Sequence, residues 1–233
     1  MDNLVKFIAS SGAASRRQAQ ELIAAGKVAV DGKTILNPAH RVSADETVSL
    51  DGRILLLAEK KWYILLHKPR GYVCSNADRH ADKLAVELLK DIPARMVSAG
   101  RLDKDSEGAI IFSNDGDFIN KLAHPRYGVL KRYIVHTGKA LKDSDLIRME
   151  NGLTDSGEFL RAEAVKELKP KVYEFTLNEG KKREIRRMTA ACKSTTVRLI
   201  RVSIGDVELG DLPAGSFREL TAEEVAGLRG DKL

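Results

Sequence analysis

From Trp62 onward, strand patterns and helix patterns follow one another in no regular order. Apolar runs such as WYILLHK and GAIIFS are typical of strands, and Pro69 with Gly71 ends the first of them. DFINKLAH and LKDSDLIRMEN show the apolar spacing of helices. A parallel sheet needs a regular strand–helix–strand alternation, which is missing here. We therefore expect an α+β fold with a mostly antiparallel mixed sheet.

The first 58 residues predict a small unit of their own. NLVKFIASSG has helical spacing, and Ser15 is a good N-cap for a second helix, SRRQAQELIAAG. KVAVDGKTI predicts a hairpin around Asp31-Gly32, and ETVSLDGRILL predicts one last strand. We expect one domain at 1–58 and a larger one at 61–233, and we expect residues 60–233 to fold without the first unit.

Arg16 and Arg17 open the second helix, where the helix dipole disfavours cations. Such a placement makes sense if the arginines and the free backbone N–H groups bind phosphate together. Two solvated arginines would cost only a few tenths of a kcal/mol. From the local pattern alone, both interpretations stay open.

The positive charge of the chain is local. The net charge is +6, and residues 181–201 alone contain eight Lys or Arg and one Glu. The rest of the chain therefore sums to about −1, by difference from that total. Apolar and basic residues alternate inside the window, as in EIRRM and VRLIRV, which would bury one side and expose the other. A phosphate-binding surface fits this pattern better than a solvated helix face.

Other sequence patterns indicate in which compartment the protein works and whether it binds a membrane or a metal. No apolar run approaches the roughly 20 residues needed to cross a bilayer, and the first residues do not resemble a signal peptide. Cys74 and Cys192 lie far apart, so we expect no disulfide framework and a cytoplasmic protein without membrane partners. None of the histidines has metal-ligand spacing, so we expect no metal: His40, His67, His80, His124 and His136.

The stretch AGRLDKDSEGAIIFSNDG, residues 99–116, carries the most unusual charge pattern. Asp103 lies beside Arg101 and Lys104, which favour its charged form. An ionised carboxylate held in this way can act as a nucleophile or stabilise a cation. A surface turn with ion pairs explains the same residues, and without further context that explanation is preferred.

Several segments together resemble a known family. GRLDKDSEGAIIFSNDG is very similar to the signature of the RsuA-type pseudouridine synthases, which act on ribosomal RNA. HKPRG, KRYIV, EGKKREIRRM, VRLIRVSIG and LPAGSFREL match further family segments in the family's order. Residues 1–58 resemble the alpha-L RNA-binding domain first described in a small-subunit ribosomal protein. The resemblance covers almost the whole chain.

This resemblance implies a reaction and roles for its residues. A uridine in RNA is detached at its glycosidic bond, turned and rejoined through carbon, without metal or other cofactor. Asp103 matches the catalytic aspartate, and Tyr133 matches the tyrosine that stacks on the flipped-out base. Arg186 matches the basic residue that pairs with the catalytic carboxylate. The chemistry agrees, because cleavage of a glycosidic bond needs a carboxylate near the sugar or base.

Further contacts complete the predicted site. Leu199 matches an apolar position lining the pocket, and we expect substrate contacts from it and from basic residues in the matched segments: Arg101, Lys68, Arg183 and Arg187. In the N-terminal unit we expect RNA to contact Ser15, Arg16, Arg17 and Lys27. The expected partner is ribosomal RNA or a ribosome assembly particle, bound by a monomer.

Two positions depart from the family pattern. His67 stands where the first motif usually has Asn, and we expect it to be a structural hydrogen-bonding residue. Glu184 stands where the basic helix often has Gln. Two rival functions remain: an RNA-binding protein without catalysis, and a hydrolase that releases free uracil. Retention of Asp103 and Tyr133 argues against the first, and mass conservation of the product would exclude the second.

Overall fold

The computed structural model describes residues 1–76 and 81–230. The chain forms two compact units, of which the first contains Met1–Trp62 together with Pro93–Arg95 and Asn114–Gly116. The second contains the rest. In the described ranges, no helix combines the length and apolar character needed to cross a membrane.

The first unit has two helices and six short strands. They are α1 Leu4–Ser10, α2 Arg16–Ala24, β1 Asp2–Asn3, β2 Val28–Val30, β3 Lys33–Thr34, β4 Arg41–Val42, β5 Val48–Leu50 and β6 Arg53–Ile54. Strands β3-β2-β5-β6 form a four-stranded sheet in that order, and β1 pairs with β4. Ser15 caps α2 as expected: its Oγ accepts from the Gln18 N–H at 3.2 Å, while Gln18 Oε1 accepts from the Ser15 N–H at 3.0 Å.

Apolar residues at helical and strand spacing form the core of the first unit. Leu4 and Ile8 of α1 pack with Ile23 of α2 and with Val28 and Val48 of the sheet. The two helices and the sheet thus bury one common face, as the sequence pattern predicts.

The segment ETVSLDGRILL differs from its prediction as a single strand. It forms β5 and β6, which pair antiparallel around Asp51 and Gly52. Both turn residues have positive φ, 47° and 79°, much like Asp31 and Gly32 at 47° and 76°. Asp-Gly favours such a turn, so the same rule that predicts the first hairpin applies here too.

In its described residues, the second unit has four helices and eleven strands. They are β7 Tyr63–Lys68, β8 Val97–Ser98, β9 Glu107–Ser113, α3 Gly116–Ala123, β10 Lys131–Thr137, α4 Asp143–Asn151, β11 Leu153–Asp155, β12 Glu158–Leu160, β13 Ala164–Lys169, β14 Val172–Leu177, α5 Glu184–Ala191, β15 Thr196–Ile204, β16 Val207–Glu208, β17 Phe217–Glu219 and α6 Ala222–Arg229. Single 3₁₀ turns occur at Ala85–Leu89 and Pro125–Tyr127.

A nine-stranded sheet organises this unit, with the order β13-β14-β10-β15-β9-β7-β17 and with β16 and β8 pairing to β15 and β9. Every described pairing in it is antiparallel except β15 with β9. The expected α+β architecture with a mostly antiparallel sheet is confirmed. Strand β17, within the closing segment LPAGSFREL, was not predicted as a strand from the sequence.

One face of the sheet packs against two helices. Leu65 and Ile111 on neighbouring strands contact Phe118 and Leu122 of α3 and Leu228 of α6 in one apolar cluster. The helices α3 and α6 therefore hold β7 and β9 in place.

Gly108 allows the one parallel junction described in this sheet. In this pairing Glu107 faces Ile200 and Gly108 faces Arg201. A Cβ added at Gly108 would lie 2.2 Å from the Arg201 carbonyl oxygen, and the residue has φ +109°. Glycine therefore permits both the close approach and the backbone conformation. The parallel pairing therefore places the loop that precedes β9 beside strand β15.

Candidate active site

The loop that precedes β9 holds Asp103 at the edge of a cavity. Leu102 is buried, and its N–H donates to Cys74 Sγ at 3.3 Å. The Ser106 N–H donates to the Asp103 carbonyl oxygen at 3.1 Å and closes a turn. The Asp103 side chain remains 35% exposed. The loop is therefore fixed at its backbone while the carboxylate stays accessible.

Arg186, on the first turns of α5, lies between two carboxylates of that loop. Its Nε is 3.9 Å from Asp103 Oδ2, and its Nη2 is 3.2 Å from Asp105 Oδ2. Nη2 also donates to the Asp105 carbonyl oxygen at 3.1 Å, and Nη1 donates to the Thr196 carbonyl oxygen at 3.1 Å. Asp105, which the sequence analysis left without a role, thus makes the shorter ion pair.

The surroundings of Arg186 act on its charge in opposite directions. Burial lowers the pKa of the guanidinium, while Asp105 and Asp103 raise it. An arginine keeps its proton in proteins. Arg186 is therefore a mostly buried, fixed cation next to the Asp103 carboxylate.

A cavity of about 580 Å³ opens at this pair. It is lined by residues 73–75, 101–104, 106 and 180–186 and by Tyr133, Leu177 and Leu199. Six of its lining residues are basic and two are acidic. The cavity thus contains Asp103, Tyr133 and Arg186 with three of the predicted substrate contacts, Arg101, Arg183 and Leu199. Its size suits a nucleotide, and its charge suits a phosphate chain.

The buried side chain of Arg201 contacts Tyr133. The Arg201 Nη1 donates to the Tyr133 hydroxyl at 3.5 Å, and its guanidinium lies 5.9 Å from the centroid of the ring. Arg201 is only 2% exposed, and its Nε donates to the Ala109 carbonyl oxygen at 2.6 Å. Sequence analysis missed this contact, although the alternation of VRLIRV places Arg201 on the same strand face as the buried Leu199.

Lys68 and Arg187 lie outside the cavity lining, so we withdraw their assignment as substrate contacts. Lys68 is 0% exposed, and its Nζ donates to the carbonyl oxygens of Pro69 and Tyr72 at 2.9 and 2.8 Å. Burial lowers the pKa of this amine. Its physical role is to close the turn after β7.

Arg187 points to a different side of α5 from Arg186. Its Nε and Nη2 donate to the side chain and the carbonyl oxygen of Asp155 at 2.6 and 2.7 Å, and Nη1 donates to Glu158. Successive helix residues are about 100° apart, so the side chain of Arg187 leaves α5 in a different direction from that of Arg186. Arg187 ties α5 to the hairpin of β11 and β12.

The two departures from the family pattern have structural roles. His67 Nδ1 lies 2.6 Å from the Leu212 carbonyl oxygen, which agrees with its prediction as a structural hydrogen-bonding residue. Glu184 is 3% exposed, and its Oε2 accepts from the Lys181 N–H at 2.9 Å. Its Oε1 has no hydrogen-bond partner in the described parts of the chain. Burial raises the pKa of this carboxyl, and the Lys181 N–H opposes that rise.

Replacing Glu184 by Gln is expected to stabilise the protein more as the pH rises. With a raised pKa, the folded state binds more protons than the unfolded state from the ordinary value of 4.5 upward. Stability of the natural protein therefore falls with rising pH until the raised pKa is passed, by at most about 1.4 kcal/mol per pH unit. The amide keeps the acceptor for Lys181 and carries no charge.

Urea unfolding at pH values below and well above 4.5 measures this difference. The exposed Glu167→Gln variant is the control for loss of one negative charge. A stability difference between Glu184→Gln and the natural protein that stays constant with pH would show that burial does not penalise this carboxylate.

The predicted RNA-binding residues lie in the first unit. Ser15 is the N-cap of α2, and Arg16 and Arg17 follow it with exposed side chains. Lys27 is exposed at the end of the same helix–turn segment, and its Nζ lies 3.8 Å from a carboxylate oxygen of Asp51. Phosphate contacts and solvated cations fit these positions equally well.

Among the residues that the structure describes, no three His, Cys, Asp or Glu side chains come together as a possible metal site. That statement covers His40, His67, His124 and His136. His80 lies outside the described residues.

Comparison with known proteins gives two family matches. A family model described as RNA pseudouridylate synthase matches residues 62–191, and the S4 domain model matches residues 3–48. The first match covers more than half of the chain and includes Asp103, Tyr133 and Arg186. The second covers both helices of the first unit.

Similar proteins extend along the whole chain. Ribosomal large subunit pseudouridine synthase B of Bacillus subtilis strain 168 is 35% identical over 236 residues, covering 98% of this chain and 96% of that protein. Ribosomal small subunit pseudouridine synthase A of Escherichia coli K12 is 31% identical, covering 97% and 99%. A crystal structure of a pseudouridylate synthase superposes with a TM-score of 0.72 at 28% identity and covers 98% of this chain and all of that one.

Proposed function

Because this chain belongs to the RNA pseudouridylate synthase family and carries an S4 domain, we propose that it converts one or more specific uridines of ribosomal RNA to pseudouridine, with Asp103 as the catalytic carboxylate. The observation that supports this role is the placement of Asp103. Its accessible carboxylate lies 3.9 Å from the fixed guanidinium of Arg186, at a cavity also lined by Tyr133.

The reaction needs a carboxylate close to the sugar or base of the target nucleotide. The glycosidic bond breaks, the base turns, and a bond to carbon replaces the bond to nitrogen, so the atoms of the nucleotide are conserved. Asp103 acts as nucleophile or as stabiliser of a cation-like sugar. Arg186 orients the carboxylate, since a guanidinium offers several donors in a rigid plane.

The base has to leave its stack to reach this carboxylate. Unstacking costs a few kcal/mol, which contacts to the flipped base offset. In the proposed complex the base lies in the cavity between the ring of Tyr133 and the apolar side chain of Leu199. Arg201 donates to the Tyr133 hydroxyl, which helps to fix the ring for stacking.

Cations around the cavity favour an RNA partner. Arg101 and Arg183 line the cavity, and both can contact the phosphates next to the target nucleotide. Matched relatives are named as synthases of large and of small ribosomal subunits, which supports ribosomal RNA without choosing between the two. We further propose a cytoplasmic monomer that acts on ribosomal RNA, either free or in an assembly particle, with the S4 domain as a second RNA contact.

The test is formation of pseudouridine by the purified protein. It is incubated with uridine-labelled RNA of each ribosomal subunit, free and in particles, and the RNA is digested to nucleosides and separated by chromatography. We expect a pseudouridine peak. Free uracil would indicate a hydrolase instead. Absence of product on every RNA, together with salt-sensitive binding, would favour an RNA-binding protein without catalysis.

We also propose that the domain bounds are 1–58 and 61–233, because β7 begins at Tyr63 and the apolar cluster of the larger sheet is built from later residues. We expect residues 60–233 to unfold cooperatively on their own and to retain weak activity on short RNA. Circular dichroism during heating checks this. A fragment that shows no cooperative transition would mean that the larger domain needs the first 58 residues to fold.

A further inference from the structure

A small group of aromatic and basic side chains lies in the second unit, at the end of α3 and in the segment that leads to β10; all are exposed except Lys121, which is half-buried. It consists of Lys121, His124, Arg126 and Tyr127, and we refer to it as the Tyr127 platform. Tyr127 is 40% exposed. The Arg126 guanidinium lies 4.5 Å from the centroid of its ring, Lys121 Nζ lies 5.9 Å from it, and the His124 ring meets it edge-on at 6.3 Å.

The Tyr127 platform is held in shape by its own backbone. Pro125–Tyr127 forms a 3₁₀ turn, at whose start His124 Nδ1 accepts from the Arg126 N–H at 3.2 Å. Gly128 ends the turn with φ 60°, and its N–H donates to the Pro125 carbonyl oxygen at 2.9 Å. Arg126 Nη2 also donates to the Tyr127 hydroxyl. A surface ordered before its ligand arrives loses less entropy on binding.

The platform lies in a second positively charged window. Residues 118–142 contain six Lys or Arg and no Asp or Glu. Together with residues 181–201, this window accounts for all the positive excess of the chain, and the remainder carries a net charge of −7 by difference. The window at 181–201 supplies most of the cations that line the cavity. Of the residues at 118–142, the proposed reaction uses Tyr133 alone.

Two cations of the window at 118–142 are engaged elsewhere. Arg132 pairs with Glu174 at 3.2 Å, and Lys131 Nζ donates to the Val129 carbonyl oxygen at 2.8 Å. Burial, with Arg201, lowers the pKa of Lys131 to about 8. Of the other four cations in the window, Lys121 and Arg126 lie close to the exposed ring of Tyr127.

The chain itself limits the distance from the platform to the cavity. Tyr133 lies six positions after Tyr127, and a fully extended chain spans at most about 3.6 Å per residue, or roughly 20 Å. A stacked strand advances about 3.4 Å per nucleotide, so this separation corresponds to about six nucleotides or fewer. An RNA strand with its target base at Tyr133 therefore has its neighbouring nucleotides within reach of Tyr127.

We propose that the Tyr127 platform binds an unpaired base of the substrate RNA, within about six nucleotides of the target, by stacking on Tyr127 and by phosphate contacts to Lys121 and Arg126. The proposal rests on the proposed function for the position of the target base. Exposed aromatic rings among basic side chains are the common means by which proteins bind single-stranded RNA. RNA is preferred to a protein partner because residues 118–142 hold six cations and no carboxylate, as contact with a phosphate chain requires.

Fluorescence anisotropy with a short fluorescein-labelled oligouridylate tests the proposal in the full-length chain. We expect Tyr127→Ala to weaken binding about tenfold, within the range measured for single stacked bases. Tyr127→Phe keeps the ring and is expected to bind within about twofold of the natural protein. Leu168→Ala, which shortens a similarly exposed apolar residue on β13, is the matched control.

The salt dependence of RNA affinity distinguishes base stacking from phosphate contacts. We expect Arg126→Gln to lower the slope of log affinity against log salt by about 0.7, the value for one phosphate contact on a single strand. The exposed Lys166→Gln on β13 is its control, and Tyr127→Ala should leave the slope unchanged. As a measurement on unaltered protein, photocrosslinking of a 4-thiouridine oligomer should label peptides that contain residues 121–127.

The outcomes distinguish this proposal from the proposed function. Binding by Tyr127→Ala equal to that by Leu168→Ala, with no crosslink at 121–127, overturns the platform even if pseudouridine forms normally. Loss of binding in Tyr127→Ala without any pseudouridine formed by the natural protein supports the platform and overturns the enzymatic proposal. Unchanged RNA binding together with capture of an acidic protein that depends on Tyr127 would assign the surface to a protein partner instead.

Discussion

Replacing Asp103 by Asn is expected to abolish pseudouridine formation, with a loss on the order of 10⁴-fold in the single-turnover rate, the scale seen when one member of a catalytic unit is removed. Asn has the size of Asp but is neither a nucleophile nor an anion. The Asp103 side chain is accessible in the cavity, and its only ion pair with a described residue is the long one with Arg186, at 3.9 Å. The substitution should therefore leave the fold intact and RNA affinity within about threefold.

Asp105→Asn is the matched control. Asp105 lies two residues away, has the same side-chain exposure as Asp103, and makes the shorter ion pair with Arg186, at 3.2 Å. The substitution removes a charge from the same guanidinium but leaves the proposed catalytic group in place. We expect a loss of about 10- to 100-fold, because Arg186 becomes less well positioned. Equal rates for the two variants, or full activity of Asp103→Asn, would contradict the assignment of Asp103.

Replacing Gly108 by Ala is expected to destabilise the second unit by more than about 3 kcal/mol, which is large against a typical total of about 5–15 kcal/mol. The added Cβ would lie 2.2 Å from the Arg201 carbonyl oxygen and 2.6 Å from its nitrogen. Backbone atoms cannot turn aside as a flexible side chain can. The strands β9 and β15 would have to separate, and with them the loop of Asp103 and the strand of Arg201.

Gly157→Ala separates this clash from the effect of backbone conformation. Gly157 also has a positive φ, of +78°, but a Cβ there would meet no atom within 4 Å. We expect a cost of about 1 kcal/mol at this position, since only the left-handed conformation is penalised. Urea unfolding of both variants gives the comparison. Similar losses of stability would mean that the parallel junction adapts to a side chain at Gly108.

Much of the fold could be predicted from local patterns. Helix caps, Asp-Gly turns and apolar spacing depend on a few neighbouring residues, and they predict α1 to α4 and the strands β2, β3, β7 and β9. The second hairpin, at Asp51-Gly52, follows the same rule, although ETVSLDGRILL was predicted as a single strand. The parallel pairing of β9 with β15 has no local signature, because it depends on contacts between distant parts of the chain.

The candidate site was only partly accessible to sequence reasoning. The resemblance implies which residues matter, but it does not say which way a side chain points. Arg186 and Arg187 have the same chemistry, and only the helix phase separates the residue at the cavity from the one that holds β11 and β12. Lys68 is basic and lies within the matched segment HKPRG, yet it is fully buried. The charge of Arg201 alone would predict an exposed position, but its side chain lies on the buried face of β15.

The pairing of β9 with β15 also determines when, during synthesis of the chain, the candidate active site can assemble. Its two partners, Glu107 with Gly108 and Ile200 with Arg201, are 93 residues apart in the chain. A ribosome adds about 5–20 residues per second, so the first strand waits several seconds for the second. Long-range pairing of this kind also slows folding itself. The carboxylate of Asp103 is thus made early but meets its cationic and aromatic neighbours only when nearly all of the chain has emerged.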